Sequence, residues 1–283
     1  MSSSPLLGRQ LPSEAHPRSR KLAWLRVKAI ARRHAYVLQR SPHRLFDVTI
    51  WPLVDVLLFG SIGVFVSNQA TGGKVAAGYL LTGILLWHVV YQSQISLSTG
   101  FLEETWSRNL LNLMVTPLRE VEYVAGVALF GLLKLAMGVG VVAVTAFAFY
   151  AFNISDLGWS LIPIASILLI VGWVIALFVM GLVLRFGSGA EALAWGILFV
   201  VMPLSGVFYP VRSLPWLLRP VAQALPTTHA FSAGRAVFDG RALPWSELGI
   251  AAGTTVAAAI IGLAFVTRML STFRTRGYIN RYS

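Results

Sequence analysis

The sequence predicts an all-α, polytopic membrane protein of six transmembrane helices, with an N-terminal amphipathic interface helix and a broken outer helical hairpin between helices 5 and 6. Three observations carry that expectation. The 283 residues are 56% hydrophobic and only 12% charged, where a soluble chain carries about 25% charged residues. Six apolar stretches each reach the roughly 20 residues needed to cross a hydrocarbon core. The net charge of +12 gathers at the ends: ten of the 23 Lys and Arg precede Asp47, and Arg268, Arg274, Arg276 and Arg281 close the chain. Basic residues clustered beside apolar spans obey the positive-inside rule and meet anionic lipid, so membrane lipid rather than nucleic acid is the expected partner.

Residues 1–46 read as a cytoplasmic N-terminal segment. Its first 18 residues are rich in Ser, Pro and charge, and the whole 46-residue segment holds no apolar run ending in a small-residue cleavage site, so no cleaved leader is expected. From Ser19 to Arg40 a helix places Trp24, Val27, Ala31, Ala35 and Leu38 on one side. Arg26, Lys28, Arg32, Arg33 and Arg40 fall on the other half, although Leu25 and Tyr36 sit among them. A basic amphipathic helix before a span is expected in the headgroup layer, and Ser41-Pro42 ends it.

The transmembrane domain covers residues 47–270. Its spans are expected at Asp47–Ser67, Ala76–Leu97, Val121–Phe152, Ser160–Leu184, Ala192–Val211 and Glu247–Leu270, and residues 271–283 form a basic cytoplasmic tail. With both termini cytoplasmic, inner segments hold 17 Lys and Arg and outer segments five, with Lys134 inside a span. That bias predicts a multi-pass protein of the cell (plasma or inner) membrane with both ends inside.

Two connections stand out. The inner one, residues 100–118 between spans two and three, repeats Leu102, Trp106, Leu110 and Leu113 at helical spacing. Glu104 and Arg108 form an i,i+4 pair of favourable orientation, and Pro117 ends the segment. This reads either as a short interfacial helix or as a docking helix for a soluble partner. The outer one, residues 203–244, holds six prolines among apolar residues and five aromatics. It is too apolar for an exterior loop and too broken for a span. Short helices dipping part-way into the bilayer fit it, because irregular backbone at depth survives only inside protein or beside water.

Catalytic chemistry is not expected. Cysteine is absent, which excludes thiolate catalysis and Cys-based zinc sites. Gly126 and Gly131 have the spacing of a phosphate loop, but Leu132 follows where Lys is required. Gly187 to Ala192 matches a dinucleotide pattern formally, yet it lies between two membrane helices rather than after a strand. The five His show no ligand spacing, and His88 reads as an interhelical hydrogen-bonder. The chain is therefore expected to be no enzyme, with no catalytic and no metal-binding residue. Asp55 and Lys134 are the charges nearest the middle of spans; such charges face protein or water, and the two are candidates to pair with each other. Small residues at Ala136–Gly140 and Gly172–Ala176 allow close helix packing.

On these features the sequence resembles the ABC-2 family of ABC-transporter permeases along nearly its whole length. The stretches that carry the resemblance are EETWSRNLLNLMVTPL, from Glu103 to Leu118, and the segments SGVFYPVRSLP and LPTTHAFSAGR between Pro203 and Arg235. Within the family it looks most like the nodulation-factor and daunorubicin exporter permeases. The resemblance implies an exporter of two permease copies, a homodimer or a pair of paralogues, with two separate ABC ATPase subunits that hold ATP and Mg. This chain would bind no cofactor.

The family's interface helix would map to Ser19–Arg40, its coupling helix to Gly100–Val115 and its outer gate helices to Val207–Phe238. Glu103, Glu104, Trp106 and Arg108 would then contact the ATPase. Phe208, Tyr209, Trp216 and Phe231 would form the outer gate, unless they are interfacial aromatic anchors. The loop Arg185–Glu191 is too short to add much to the ATPase contact. The implied cargo is an amphipathic lipid, a lipid-linked glycan or a hydrophobic drug. The alternatives are a long polysaccharide on the same fold, an integral-membrane lipid-modifying enzyme, or a membrane scaffold or receptor.

Overall fold

The computed structural model describes residues 20–69, 74–106, 120–187 and 192–276. The nine α-helices in these segments are α1 (Arg20–Gln39), α2 (Pro42–Gln69), α3 (Lys74–Trp106), α4 (Glu120–Tyr150), α5 (Leu161–Phe186), α6 (Ala192–Leu204), α7 (Arg219–Ala224), α8 (Pro226–Phe238) and α9 (Trp245–Arg276). Two short 3-10 turns, Ile154–Ser160 and Val211–Ser213, lie between them. Among the described residues there is no strand. Four helical stretches are long and apolar enough to cross a membrane: Pro42–Gln69, Val121–Tyr150, Ile154–Phe186 and Trp245–Thr272.

The N-terminal helix ends where the sequence says it should. Pro42 opens α2 at the first helical position, where its missing N–H costs nothing. The Ser41 carbonyl accepts from Arg44 N and Leu45 N at 3.0 and 3.3 Å. Along its length α1 docks on the first half of α4. Val27 and Ile30 meet Gly126, where a side chain would collide with Ile30, His34 stacks on Phe130 with ring centroids 5.5 Å apart, and Leu38 packs with Val48 and Phe130. The docked face is therefore Val27, His34 and Leu38, flanked by Ala31 and Ala35. Trp24, expected on that face, is 57% exposed. Val27, Ala31, Ala35 and Leu38 of the expected apolar side thus meet protein, while Trp24 lies outside the contact with α4.

At the centre stands α3, which touches α2, α4, α5, α6 and α8. Its second half carries Gln92, Ser93, Gln94, Ser96 and Ser98, all buried. Close approach replaces hydrophobicity there: Gly172 of α5 lies directly against Ser93, the Val90 carbonyl and Gln94 N. Small residues at such crossings let two backbones approach where lipid offers no hydrophobic driving force. The helices around α3 expose apolar side chains outward, such as Leu58 and Phe65 of α2, Leu133 and Phe147 of α4, and Ile260 and Leu263 of α9. That pattern suits a lipid surround.

Two boundaries differ from expectation. Residues 100–106, expected to open a separate inner helix, are the last turns of α3; nothing in the run from Ser96 to Trp106 breaks a helix, and Thr99 Oγ1 bonds back to the Ile95 carbonyl at 2.7 Å. The remainder of that helix, residues 107–119, lies outside the described residues, as do the loop 188–191 and the tail 277–283. The fifth expected span, Ala192–Val211, is helical only to Leu204. Thirteen residues extend about 20 Å, short of the roughly 30 Å of hydrocarbon. Pro203 and Gly206, the latter with φ +70°, turn the chain back into the bundle. The broken hairpin follows as α7 and α8.

Candidate functional site

The two ends of α3 carry the two candidate regions, separated by about 30 Å at 1.5 Å per residue. At one end lies the hairpin. Its turn after α6 sits against the start of α3, where Gly83 has only hydrogen on its Cα because the Val207 carbonyl occupies the space. Arg235, on α8, reaches back across this turn and donates to the Gly206 carbonyl and, at 2.9 Å, to the Val207 carbonyl. Its guanidinium lies 4.0 Å from the centre of the Tyr79 ring of α3. Both carbonyls accept from Nη2 while the planar guanidinium lies against the ring face, which an ammonium does not do as well.

Further ties run through the hairpin. Ser205 Oγ and Thr227 Oγ1 are 2.6 Å apart, and Thr228 Oγ1 donates to the Ala222 carbonyl at 2.6 Å. His229 Nδ1 lies 2.7 Å from Glu247 Oε2 and joins α8 to α9.

The four aromatic gate candidates are not brought together. Phe208 stacks on Phe59 of α2 with centroids 4.4 Å apart. Tyr209 is half-buried beside it. Trp216 is 74% exposed, whereas Phe231 is 0% exposed in the main core. Helical spacing on α8 decides the last point, since Ala230, Ala233 and Gly234 share the buried side of that helix.

At the other end of α3 the chemistry is ionic. Arg44 Nη1, at the start of α2, meets Glu103 Oε1 at 2.8 Å. Arg26 Nη1, on α1, lies 3.3 Å from both carboxylate oxygens of Glu122 on α4. Tyr123 Oη donates to the Gly100 carbonyl at 3.2 Å, which ties the start of α4 to the end of α3. Between these helices lies a cavity of about 100 Å³, with Arg44, Asp47, Gln92, Glu103, Lys134 and Trp195 in its lining.

Lys134 therefore faces this cavity, and the charges that act on it are Glu103, Asp47 and Arg44. It makes no ion pair with Asp55, contrary to the pairing the sequence allows. Asp55 is not among the residues that line the cavity. His88 makes no interhelical hydrogen bond through Nε2; that nitrogen abuts Gly138 of α4. Glu103 is placed, while Glu104 and Trp106 belong to α3 with side chains outside the described set, and Arg108 lies outside it altogether. Among the described residues no three His, Asp or Glu gather as a metal site requires.

Sequence reasoning missed Arg26, Arg44, Glu122 and Arg235. Their partners are distant in the chain, and each reads locally as one more charge beside a membrane. Only Arg235 leaves a trace, as a lone cation in the small-residue run from Ser232 to Val237.

A helical bundle with a short sixth helix, a pair of short helices after it and a basic first helix invites comparison with known families. The family described as ABC-2 type transporter matches residues 25–238, from within α1 to the end of α8. The chain belongs to that family. No curated protein matches it. An ABC-2 chain is a multi-pass membrane protein and the permease subunit of an ABC transporter, a transport component that works with ABC ATPase subunits.

Proposed function

We propose that this ABC-2 permease is the membrane half of an exporter that moves an amphipathic lipid, a lipid-linked glycan or a hydrophobic drug. Two copies of the chain pair, and two separate ATPase subunits carry ATP and Mg. The observation that carries the reading is the turn after α6 and the hairpin that follows it. A half-length α6 turns back at Pro203–Gly206, and Arg235 latches that turn to α3. Non-helical backbone at membrane depth persists only within protein or beside an aqueous path. A movable outer end of such a path is the natural use for it.

In this reading six segments serve as spans, α3 and the shorter α6 among them, and both termini are cytoplasmic. The segment from Glu103 through Glu104 and Trp106 to Arg108 meets the ATPase. Glu103 does so from within its pair with Arg44. Closure of the ATPase pushes on this segment, and α3 and α4, which flank it, tilt. The tilt reaches the hairpin along α3, where Phe208, Tyr209 and Trp216 line the outer gate and Phe231 is the packing that backs them. The export direction and the cargo classes come from the likeness to exporter permeases. The apolar hairpin supports an amphipathic cargo.

Co-purification with an ATPase encoded beside this chain tests the reading. The wild-type pair should assemble and hydrolyse ATP, and Glu104→Ala with Trp106→Ala should weaken both. Unchanged assembly and hydrolysis in the double variant would overturn the coupling assignment. Transport of labelled lipid, glycolipid and drug probes into inside-out vesicles then separates the cargo classes.

A further inference from the structure

The middle of α2 carries a charge that the two ends of α3 leave unused. Asp55 is the fourteenth of the 28 residues of α2, about 20 Å from either end of the helix. Among the described residues it has no hydrogen-bond or ion-pair partner, and no cation offsets its charge. A carboxylate at such a depth is costly unless it faces protein, water or a counter-charge. We propose that Asp55 recognises the cationic head of the cargo, a protonated amine or quaternary ammonium on an amphipathic molecule, in an aromatic-walled cleft between α2 and α6.

The register of α2 decides on which side Asp55 falls. Val48, Pro52, Val56, Gly60 and Gly63 form the buried stripe of this helix. On one flank of the stripe the Leu57 carbonyl and Ser61 Oγ meet Tyr150 Oη of α4, at 2.8 and 3.0 Å. Asp55 and Phe59 are four residues apart and so share one face. They lie on the opposite flank, where Phe59 stacks on Phe208 of the turn after α6.

Beyond that flank stands α6. Among the described residues α2 and α6 both rest on α3 and scarcely touch each other, so α3 floors the space between them. Tyr91 of that floor feels the charge of both Asp47 and Asp55. Its ring faces Trp195 of α6 with centroids 6.4 Å apart. Trp195 and, one turn on, Phe199 are exposed. Tyr91 and Trp195 also line the cavity that holds Lys134, while Phe208 belongs to the hairpin side. Asp55 therefore stands between the two regions at the ends of α3.

The chemistry of this cleft selects a sign of charge. Phe59, Tyr91, Trp195 and Phe208 supply aromatic faces, which attract a cation through the ring quadrupole, more strongly where water is excluded. The carboxylate adds a full counter-charge. An anion of the same size meets ring faces and a like charge, and is refused.

The fate of a bound cation rests on the exporter reading above; its binding needs no ATPase. Tetraphenylphosphonium and tetraphenylborate are hydrophobic ions of nearly one shape and opposite charge. Binding of labelled tetraphenylphosphonium to the full-length chain in nanodiscs, less that of empty nanodiscs, should saturate, and tetraphenylborate should not displace it. Asp55→Asn should weaken binding about tenfold or more, as the loss of one charged contact does. Asp55→Glu should keep most of it.

An Asp55→Asn protein that binds the phosphonium as wild type does overturns the assignment, and so does a borate that competes as well as unlabelled phosphonium. If Asp55→Asn does not fold, the two ions on the wild-type chain decide alone: preference for the phosphonium supports the site, and parity overturns it. The two readings fail separately. If ATP-driven transport of every probe fails while Asp55-dependent binding holds, the exporter function falls and the cation site stands. If transport runs and binding does not depend on Asp55, the site falls and the exporter function stands.

Discussion

At the hairpin end Arg235 donates to two backbone carbonyls beneath an aromatic ring, whereas at the α1 end Arg26 and Arg44 each meet a carboxylate. The same residue type performs two kinds of work. A guanidinium bonded to carbonyls fixes the path of one particular turn, because the acceptors belong to the chain itself and cannot rotate away. A guanidinium facing a carboxylate fixes the distance between two helices and leaves each free to rotate. The first bond is sheltered and indifferent to salt. The Arg44 and Glu103 side chains are 32% and 27% exposed, so their pair is weakened by screening and by the entropy of two long side chains.

The sharpest break in that contrast comes from the hairpin's own core. Phe231→Ala should cost about 3–5 kcal/mol, the usual range for emptying a fully buried aromatic site. Thermal unfolding in detergent or nanodiscs should register it as the largest loss of any hairpin variant. A small loss would mean that Phe231 faces a path rather than the core.

Next in size is Arg235→Lys. The ammonium keeps the charge but loses the flat guanidinium face on Tyr79 and has a shorter reach to the Gly206 and Val207 carbonyls, at a cost of about 2 kcal/mol. Full stability in this variant would show that charge alone holds the turn. The smallest effect belongs to Arg44→Gln, with a loss below about 1 kcal/mol at low salt. Comparison of wild type and variant across a salt series should see that gap close as the Debye length falls from about 10 Å at 0.1 M to about 3 Å at 1 M. A gap that persists at high salt would place the Arg44 pair in the sheltered class with Arg235.

Much of this was legible in the sequence because membrane proteins write their boundaries in hydropathy and proline. Ser41–Pro42 ends α1 within one residue of expectation, whereas α2 opens at Pro42, before the expected start of the first span at Asp47; Glu120–Tyr150 matches the third expected span. The end of the fifth span was not legible by hydropathy, because the turn that stops it is itself apolar. Val207 and Phe208 continue the run after Leu204, and only Pro203 and Gly206 mark the reversal. The candidate gate was read as four equivalent aromatics; burial divides them, since Phe231 lies on the inner side of α8 and Trp216 on no helix at all. The ion pairs could not be read, because nothing in the identity of Arg26 names Glu122 as its partner. The packing of α1 on Gly126 decides that, and packing is a property of two segments rather than one.

The polar run of α3 has a further consequence for how the protein is made. While the chain is being threaded into the bilayer, α3 arrives with Gln92, Ser93, Gln94, Ser96 and Ser98 before all of the helices that will cover them exist. Part of their cover comes from α4 and α5, which are synthesised later: Gly131 lies against Ser96 and Gly172 against Ser93. A nascent chain halted after Trp106 therefore presents the membrane with a segment that lipid accepts poorly, and extension through Phe186 supplies the neighbours that hold it in place. Insertion of the central helix is in this sense completed by its successors, and the order of synthesis becomes part of the folding problem.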